Sequence, residues 1–121
     1  MGGATRVDRP GILKDMQKSN LSDLMVPAEY GGRFETIDPL AICVAREAMM
    51  ATSSHLDSLF ALQGIGSYGI TVAGSEKQRR QWLPKVAAAQ SLPSLGLTEP
   101  VAGSDLKSIV TEITSVDGGL R

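Results

Sequence analysis

The segment from Gly96 to Asp105 contains the residues best suited to bind a polar ligand. Its start is apolar enough for a strand, and it then turns through a proline and a glycine. This arrangement places the hydroxyls of Thr98 and Ser104 near several backbone N–H groups, which together can hold a pyrophosphate or the polar edge of a ring. The competing interpretation is a structural loop in which Ser104 or Asp105 caps the following turn. Spacing alone leaves both interpretations open.

The single cysteine and the single histidine offer little other chemistry. Cys43 and His55 have no third group in the sequence that would complete a nucleophilic triad with them. One cysteine forms no intramolecular disulfide, and one cysteine with one histidine forms no zinc cluster. We therefore assign no catalytic residue and no metal site from these two side chains.

The composition favours a folded protein of ordinary single-domain size. The chain has 121 residues, of which 42% are hydrophobic and 21% are charged, so it has enough apolar material for a core. Its net charge of -1 lacks the basic excess that non-specific nucleic-acid binding uses, and we expect no nucleic-acid partner. The first residues lack the apolar run of a targeting peptide, so we expect a cytoplasmic protein, or a matrix protein if the source has mitochondria.

Proline, glycine and capping residues divide most of the chain into helices. An Asp or Ser before a helix can cap it, and a proline fits its first turn. The paired glycines of the corner permit positive φ. The predicted elements are a short helix that starts at Asp8-Arg9-Pro10 and ends by Asn20, a corner at Pro27–Gly32, a helix over 38–52, a helix over Leu56–Gly74, and a helix that begins with the capping box of Ser75 and Gln78.

The third predicted helix is unusual because residues 58–75 carry no charge. Its serines, glutamine and glycines make it too polar for lipid on every face, so we expect no membrane span. We predict a helix buried inside a helical domain, with glycines that let its neighbours approach closely. The fourth helix should bury an apolar stripe formed by Trp82, Leu83, Val86 and Ala87.

The pattern changes from helix to strand near Pro93. Residues Leu92–Thr98 suit a short strand, Ser108–Val116 is rich in β-branched residues, and Asp117-Gly118-Gly119 predicts a hairpin turn. Only two residues follow that turn, so we expect a sheet whose second strand is cut off, because native domains usually avoid such unpaired edges. We divide the chain into an α-helical domain, 1–91, and the truncated start of a β-domain, 92–121.

Several motifs resemble those of the FAD-dependent acyl-CoA dehydrogenases. The segment Gly96–Ser108 agrees closely with the signature of that family, in which Ser or Thr and then Glu precede a small-Gly-Ser/Thr-Asp run. The corner at 26–32 is similar to the family's P-E-E-Y-G-G, Glu47 has a counterpart in the next helix, and 74–84 is similar to G-S-E-E-Q-K…Y-L-P. Because these matches keep the family's order over most of the chain, chance is a poor explanation.

The resemblance implies a mainly α fold: the N-terminal helical domain of the acyl-CoA dehydrogenase fold, lacking a helix or two ahead of Gly11, plus the first strands of the middle β-domain. It also implies FAD as the cofactor of the full-length protein. The substrate would be an acyl-CoA, oxidised between its α and β carbons with hydride transfer to the flavin. The family's glutamate base lies beyond this fragment, so we expect the fragment alone to be inactive and to bind FAD poorly.

By resemblance, one continuous segment should line the flavin and its pyrophosphate. Thr98 would lie near the pyrimidine edge, and Ser104 near both the pyrophosphate and the acyl-CoA. Glu99 is not in the position of the base, and we expect it and Asp105 to be structural hydrogen-bonding residues. The predicted cofactor-binding residues are Leu95, Gly96, Leu97, Thr98, Glu99, Pro100, Val101, Ala102, Gly103 and Ser104, with Ser104 also binding substrate.

Two other functions stay open at this point. The scaffold could serve as a non-catalytic helical interaction module. Alternatively, the protein could be a relative on the same fold, such as an acyl-CoA oxidase or a nitroalkane oxidase. The missing leading helices would expose apolar surface around Leu59, Phe60 and Leu62, so we expect a homo-oligomer. The family also implies an electron-transfer partner. Four further residues could face an acyl pocket, but we expect core packing for them: Met49, Met50, Tyr68 and Trp82.

Overall fold

Four α-helices form most of the computed structural model, which describes residues 9–121. The helices are α1 (Arg9–Ser19), α2 (Pro39–Thr52), α3 (Ser54–Ala73) and α4 (Glu76–Ala87). Two short 3₁₀ helices, Leu21–Met25 and Ala28–Tyr30, lie between α1 and α2, and a third, Leu106–Ser108, follows α4. The prediction of a mainly α fold is confirmed.

Side-chain caps begin three of the helices, and those of α2 and α4 are the predicted ones. The Asp38 carboxylate accepts backbone N–H groups of the first turn of α2. Ser53 caps α3, which therefore starts two residues before the predicted Leu56. Ser75 and Gln78 form the reciprocal capping box at the start of α4. Asp8, the predicted start of the first helix, lies outside the described residues.

The core lies where α3 and α4 pack against the 3₁₀ helix at 21–25. Leu83, Val86 and Ala87 of α4 are buried as predicted, but Trp82 is 40% exposed. Successive helical residues point about 100° apart, so the neighbour of a fully buried residue turns away from the core. The buried cluster consists of Met16, Leu24, Met25, Val26, Tyr30, Met49, Phe60, Leu83, Val86, Ala87 and Ala89.

The prediction that α3 is buried inside the helical domain is correct for one face of the helix and wrong for the other. Its inner face mixes apolar and polar residues. Phe60 and the partly buried Leu56, Leu59 and Ile70 pack against the core. Asp57, Gln63 and Ser67 lie on the same side, and each is almost fully buried. The Gln63 amide nitrogen and the Ser67 hydroxyl donate to carbonyls one turn earlier in the same helix, so these two donors are satisfied although they are buried. Its outer face is apolar and exposed, and comprises Leu62, Ile65, Tyr68 and Val72.

Two glycines of α3 do permit close packing, as predicted. A Cβ atom on Gly64 would lie 2.7 Å from the sulfur of Met25, and one on Gly66 would lie 2.7 Å from the backbone of Pro93. Phe60 is fully buried, so the expectation that it contributes to an exposed face is wrong. It points into the core cluster, whereas Leu62, two positions later, points out.

The corner at Pro27–Gly32 is a 3₁₀ turn in which the two glycines have different roles. Gly31 adopts φ +95° and so uses the left-handed region that favours glycine. Gly32 has no positive φ, which corrects the prediction for this residue. A Cβ atom on Gly32 would lie 1.5 Å from the carbonyl oxygen of Val26, so the close passage of two backbone segments requires glycine here.

Tyr30 fastens this corner to the first turn of α4. Its hydroxyl donates a hydrogen bond of 2.9 Å to a carboxylate oxygen of Glu76, and Arg80 pairs with the same carboxylate. Burial, and then the bond to Glu76, raise the pKa of the Tyr30 phenol above its usual value. The corner and α4 therefore form one packed unit.

The C-terminal part contains a hairpin but little other β-structure. β1 (Ser115–Val116) pairs antiparallel with β2 (Gly119–Leu120), and Gly118 in the turn has φ +89°. The predicted hairpin turn is therefore confirmed. The predicted strand at Leu92–Thr98 is wrong, and of the run 108–116 only the last two residues form a strand. β-branched composition favours an extended backbone, but a ladder also needs a neighbouring strand, and within residues 9–121 these segments have none.

Replacing Gly32 with Ala should destabilise the protein by about 3 kcal/mol or more, because the new methyl group would collide with the Val26 carbonyl. Gly69→Ala is the matched control, since a Cβ atom there meets nothing within 4 Å and the residue lies inside α3. We expect Gly69→Ala to stabilise the chain by up to about 1 kcal/mol. Urea unfolding followed by Trp82 fluorescence measures both. Equal effects of the two substitutions would contradict the close backbone passage.

Candidate functional site

The segment singled out by its sequence forms a folded loop in the structure. The Glu99 N–H donates to the Ala102 carbonyl at 2.8 Å, and the Ala102 N–H returns a bond of 3.3 Å to the Glu99 carbonyl. Ala102 is only 2% exposed, so its methyl group is enclosed by neighbouring residues. Pro100 and Val101, which lie between these residues, are exposed, so a ligand can reach this part of the turn.

The Glu99 carboxylate closes this loop from the other side. It accepts the N–H groups of Val110 and Thr111, each at 2.9 Å, and also the Thr111 hydroxyl. The hydroxyl of Thr111, and then the N–H of Val110, hold the pKa of Glu99 below its usual range, since each donor favours the charged form. The expectation of a structural role for Glu99 is confirmed.

Asp105 has a similar structural role inside the loop. Its carboxylate accepts the Lys107 N–H at 3.2 Å and the Ser108 hydroxyl at 2.6 Å, and so caps the 3₁₀ helix Leu106–Ser108. This capping by Asp105 was part of the competing, structural interpretation of the segment, and it is present in the structure. Both acidic groups of the segment are engaged in holding the backbone, which leaves hydroxyl and N–H groups for binding.

The two hydroxyls proposed for binding are available. Thr98 and Ser104 are exposed, and neither side chain hydrogen-bonds to any part of the chain that the structure describes. Cβ atoms on Gly96 and Gly103 would meet nothing within 4 Å, so a ligand can approach the backbone there. Of the predicted residues, Glu99 is half-buried, Ala102 is buried, and the rest are exposed: Leu95, Gly96, Leu97, Thr98, Pro100, Val101, Gly103 and Ser104.

A buried ion pair between α2 and α3 was missed by the sequence analysis. Arg46 donates through Nε and an Nη atom to the two carboxylate oxygens of Asp57, at 2.8 and 2.9 Å. Asp57 is 2% exposed, whereas about half of the Arg46 side chain is exposed. The hydrogen bonds from Arg46 lower the pKa of Asp57, although burial alone would raise it. The available clue was that Asp57 immediately precedes the uncharged run.

Arg46 also borders a cavity of about 430 Å³ between α2, α3 and the 3₁₀ helix at 21–25. The other walls are apolar and include Met25, Ile42, Ile65 and Tyr68. Of the four residues expected to pack in the core, only Met49 does so, whereas Met50, Tyr68 and Trp82 are 40–57% exposed. Tyr68 is the one among these four that lines this cavity.

Two kinds of feature are absent from the described residues. Within 9–121, no cluster of three His, Cys, Asp or Glu side chains is placed to hold a metal ion. In the same range, no helix combines the length and hydrophobicity needed to cross a bilayer.

The sequence of this chain matches a known protein family. The family profile described as "Acyl-CoA dehydrogenase, N-terminal domain" matches residues 3–90, which is well over half of the chain. The chain belongs to the acyl-CoA dehydrogenase family. The resemblance inferred from the motifs is therefore confirmed.

Curated members of the acyl-CoA dehydrogenase family from distant organisms match most of the chain. The probable acyl-CoA dehydrogenase fadE25 of Mycobacterium leprae is 32% identical over 99 residues, covering 82% of this chain and 25% of that protein. A probable acyl-CoA dehydrogenase of Bacillus subtilis is 35% identical over 78% of this chain and 16% of its own length. The mouse mitochondrial very long-chain specific acyl-CoA dehydrogenase is 34% identical over 80% of this chain and 15% of its own length. The chain thus spans a quarter or less of these relatives.

The buried pair of this acyl-CoA dehydrogenase domain should make its stability sensitive to acid. Asp57 keeps its charge to a lower pH in the folded than in the unfolded chain. Its contribution to the free energy of unfolding is therefore complete above the ordinary Asp pKa of about 3.9. That contribution is lost as the pH falls through the lower pKa of the folded state.

Asp57→Asn should therefore lower the thermal midpoint at neutral pH and make the acid dependence shallower, because Arg46 loses its charged partner. Asp15→Asn, at an exposed position of α1, is the matched control and should behave as wild type. Thermal unfolding followed by circular dichroism between neutral and acid pH measures the effect. Superimposable midpoint-against-pH curves for wild type and Asp57→Asn would show that the pair contributes nothing.

Proposed function

We propose that this chain is the N-terminal part of a flavoenzyme that oxidises the α,β C–C bond of an acyl-CoA thioester, with hydride transfer to FAD. The observation that carries the proposal is the loop at 96–105. Its two carboxylates bind the protein's own backbone, while the Thr98 and Ser104 hydroxyls stay free. Membership of the acyl-CoA dehydrogenase family supports the same conclusion.

The residues present fit a flavin nucleotide by three criteria. The hydroxyls of Thr98 and Ser104 are hydrogen-bonding groups without partners in the described chain, and the sides of Gly96 and Gly103 are open to a closely approaching ligand. Exposed side chains of Leu95, Leu97 and Val101 offer apolar surface for a flat ring. We propose that Leu95–Ser104 line the flavin and its pyrophosphate, with Thr98 at the pyrimidine edge and Ser104 also near the acyl-CoA.

The same loop indicates what this chain and the FAD would each contribute to the reaction. When bound, FAD supplies the hydride acceptor, and the role of this chain is to hold and orient the cofactor. Glu99 and Asp105 are engaged in structural hydrogen bonds and so are poorly placed to remove a substrate proton. We propose that the base lies in a part of the full-length protein outside this chain, and that the chain alone is inactive.

We further propose a helical domain at 1–91 and the start of a β-domain at 92–121. The end of α4 at Ala87 and the end of the family match at residue 90 support this boundary. The full-length enzyme would be a homo-oligomer that passes electrons to a partner protein. We place it in the cytoplasm, or in the mitochondrial matrix of a eukaryote.

A second candidate function is a helical interaction module. The exposed apolar face of α3, formed by Leu62, Ile65, Tyr68 and Val72, favours it because an isolated domain seldom leaves such a row uncovered. An acyl-CoA oxidase-like activity on the same fold is the third candidate. It differs from a dehydrogenase in what reoxidises the flavin, so only an activity measurement separates the two.

Flavin retention separates the first two functions. We expect the purified 121-residue chain to be colourless after gel filtration and the full-length gene product to be yellow, with FAD released on denaturation. In the full-length protein, Thr98→Val and Ser104→Ala should each weaken FAD binding about tenfold, the effect of losing a hydrogen bond to a charged or polar ligand. Thr36→Val, at an exposed threonine outside the loop, is the control. A full-length protein without flavin would favour the interaction module.

Oxygen dependence separates the dehydrogenase from the oxidase. We expect the full-length protein to oxidise an acyl-CoA with an artificial electron acceptor at the same rate in the presence and absence of oxygen. Because a dehydrogenase passes electrons to an acceptor other than oxygen, little hydrogen peroxide should form. Stoichiometric peroxide without an added acceptor would establish the oxidase-like alternative.

A further inference from the structure

The Glu99 carboxylate joins two parts of the chain that lie on either side of the candidate loop. Its partners are two consecutive backbone N–H groups, of Val110 and Thr111, and the hydroxyl of Thr111. Both carboxylate oxygens are used, one by each N–H group. Residues 100–109 form the closed loop between these ends.

Closing a loop of this length has an entropic cost, and the contacts at its base must offset it. Hydrogen bonds to an ionised carboxylate are the strongest of the ordinary kinds, and here three converge on one group. Val110 is 69% exposed, so apolar packing contributes little at this point. The carboxylate of Glu99 is therefore the main interaction that holds the second end of the loop.

The closed loop presents the groups to which the proposed function assigns binding. Ala102 is buried, Asp105 caps the 3₁₀ turn, and Ser104 lies between them in the sequence. If a ligand binds only the closed loop, its apparent dissociation constant is inversely proportional to the fraction of molecules in which the loop is closed. A group that keeps the loop closed before the ligand arrives therefore increases affinity, whether or not it also contacts the ligand.

We propose that Glu99 is a positioning residue for the FAD site: its carboxylate, clamped on the backbone of Val110 and Thr111, holds the 100–109 loop in the binding conformation. This inference rests on the proposed function of the loop. It assigns to Glu99 an effect on cofactor affinity, which goes beyond the structural hydrogen bonding seen in the chain. Thr111 shares the role through its hydroxyl.

Two pairs of variants test the clamp. Glu99→Gln keeps the size of the side chain but removes its charge and turns an acceptor oxygen into a donor. Glu112→Gln makes the same change at a nearby exposed glutamate that has no hydrogen bond in the described chain. Thr111→Val removes the hydroxyl donor and keeps the shape, while Thr111→Ser keeps the donor and should rescue the function.

The measurements are amide hydrogen exchange of Val110 and Thr111 in the 121-residue chain, and the FAD dissociation constant of the full-length protein by flavin fluorescence. We expect Glu99→Gln to speed exchange at both amides and to raise the FAD dissociation constant about tenfold or more, the size of one lost charge-assisted hydrogen bond. Thr111→Val should act in the same direction, more weakly. Glu112→Gln and Thr111→Ser should match wild type, and the thermal midpoint of the helical part should be unchanged in all four.

The outcomes distinguish this inference from the proposed function. If wild type binds FAD and Glu99→Gln binds it equally well, the positioning role is overturned while the function stands. Unchanged amide exchange in Glu99→Gln would likewise overturn the clamp. If the wild-type full-length protein binds no FAD, the proposed function fails, and the inference that depends on it fails with it.

Discussion

The close approach of other segments to α3 is the constraint on which the rest of the structure depends. Gly64 lets Met25 pack onto the helix, and this places the 3₁₀ helix at 21–25 and the corner that follows it. Gly66 lets Pro93 cross the same helix, and this fixes where the chain leaves the helical part. Since the candidate loop begins three residues after Pro93, its position depends on a contact at the middle of α3.

Several charged groups of this chain serve structure. Asp57 and Arg46 join α2 to α3, Glu76 joins the corner to α4 through Tyr30, and Glu99 joins the two ends of the loop. A carboxylate that already accepts strong hydrogen bonds has a lowered pKa and makes a poor proton acceptor, as the direction of the shift at Glu99 shows. This distribution of charge suits a domain that holds a ligand more than one that supplies a catalytic base.

The two faces of α3 show how composition can mislead. The uncharged run at 58–75 is rich in apolar residues, which suggests burial on all sides. The buried face nevertheless contains Gln63 and Ser67 beside Phe60, and several apolar residues lie on the exposed face. Small polar side chains suit the inner face because they bond to carbonyls of their own helix and leave room for neighbours. Periodicity shows which residues share a face, but it does not show which face the rest of the protein covers.

Local chemistry in the sequence determined the helices, the corner, the hairpin turn and the family. Asp38, Ser53 and Ser75 satisfy backbone groups within three residues of themselves, and the glycine at 118 is required by its own turn, so each can be identified without knowledge of distant contacts. The resemblance of 96–108 to a signature likewise needed only the order of residues.

Tertiary structure alone decided the rest, because the deciding interactions join residues far apart in sequence or depend on a neighbour. Arg46 and Asp57 are eleven positions apart, and Glu99 reaches Thr111 across twelve. Gly32 must be glycine because the folded corner brings the Val26 carbonyl against it. The β-branched run at 108–114 stays unpaired because no strand lies beside it in the described chain. Hydrogen-bond partners and close contacts of this kind are properties of the packed chain, and residue type does not specify them.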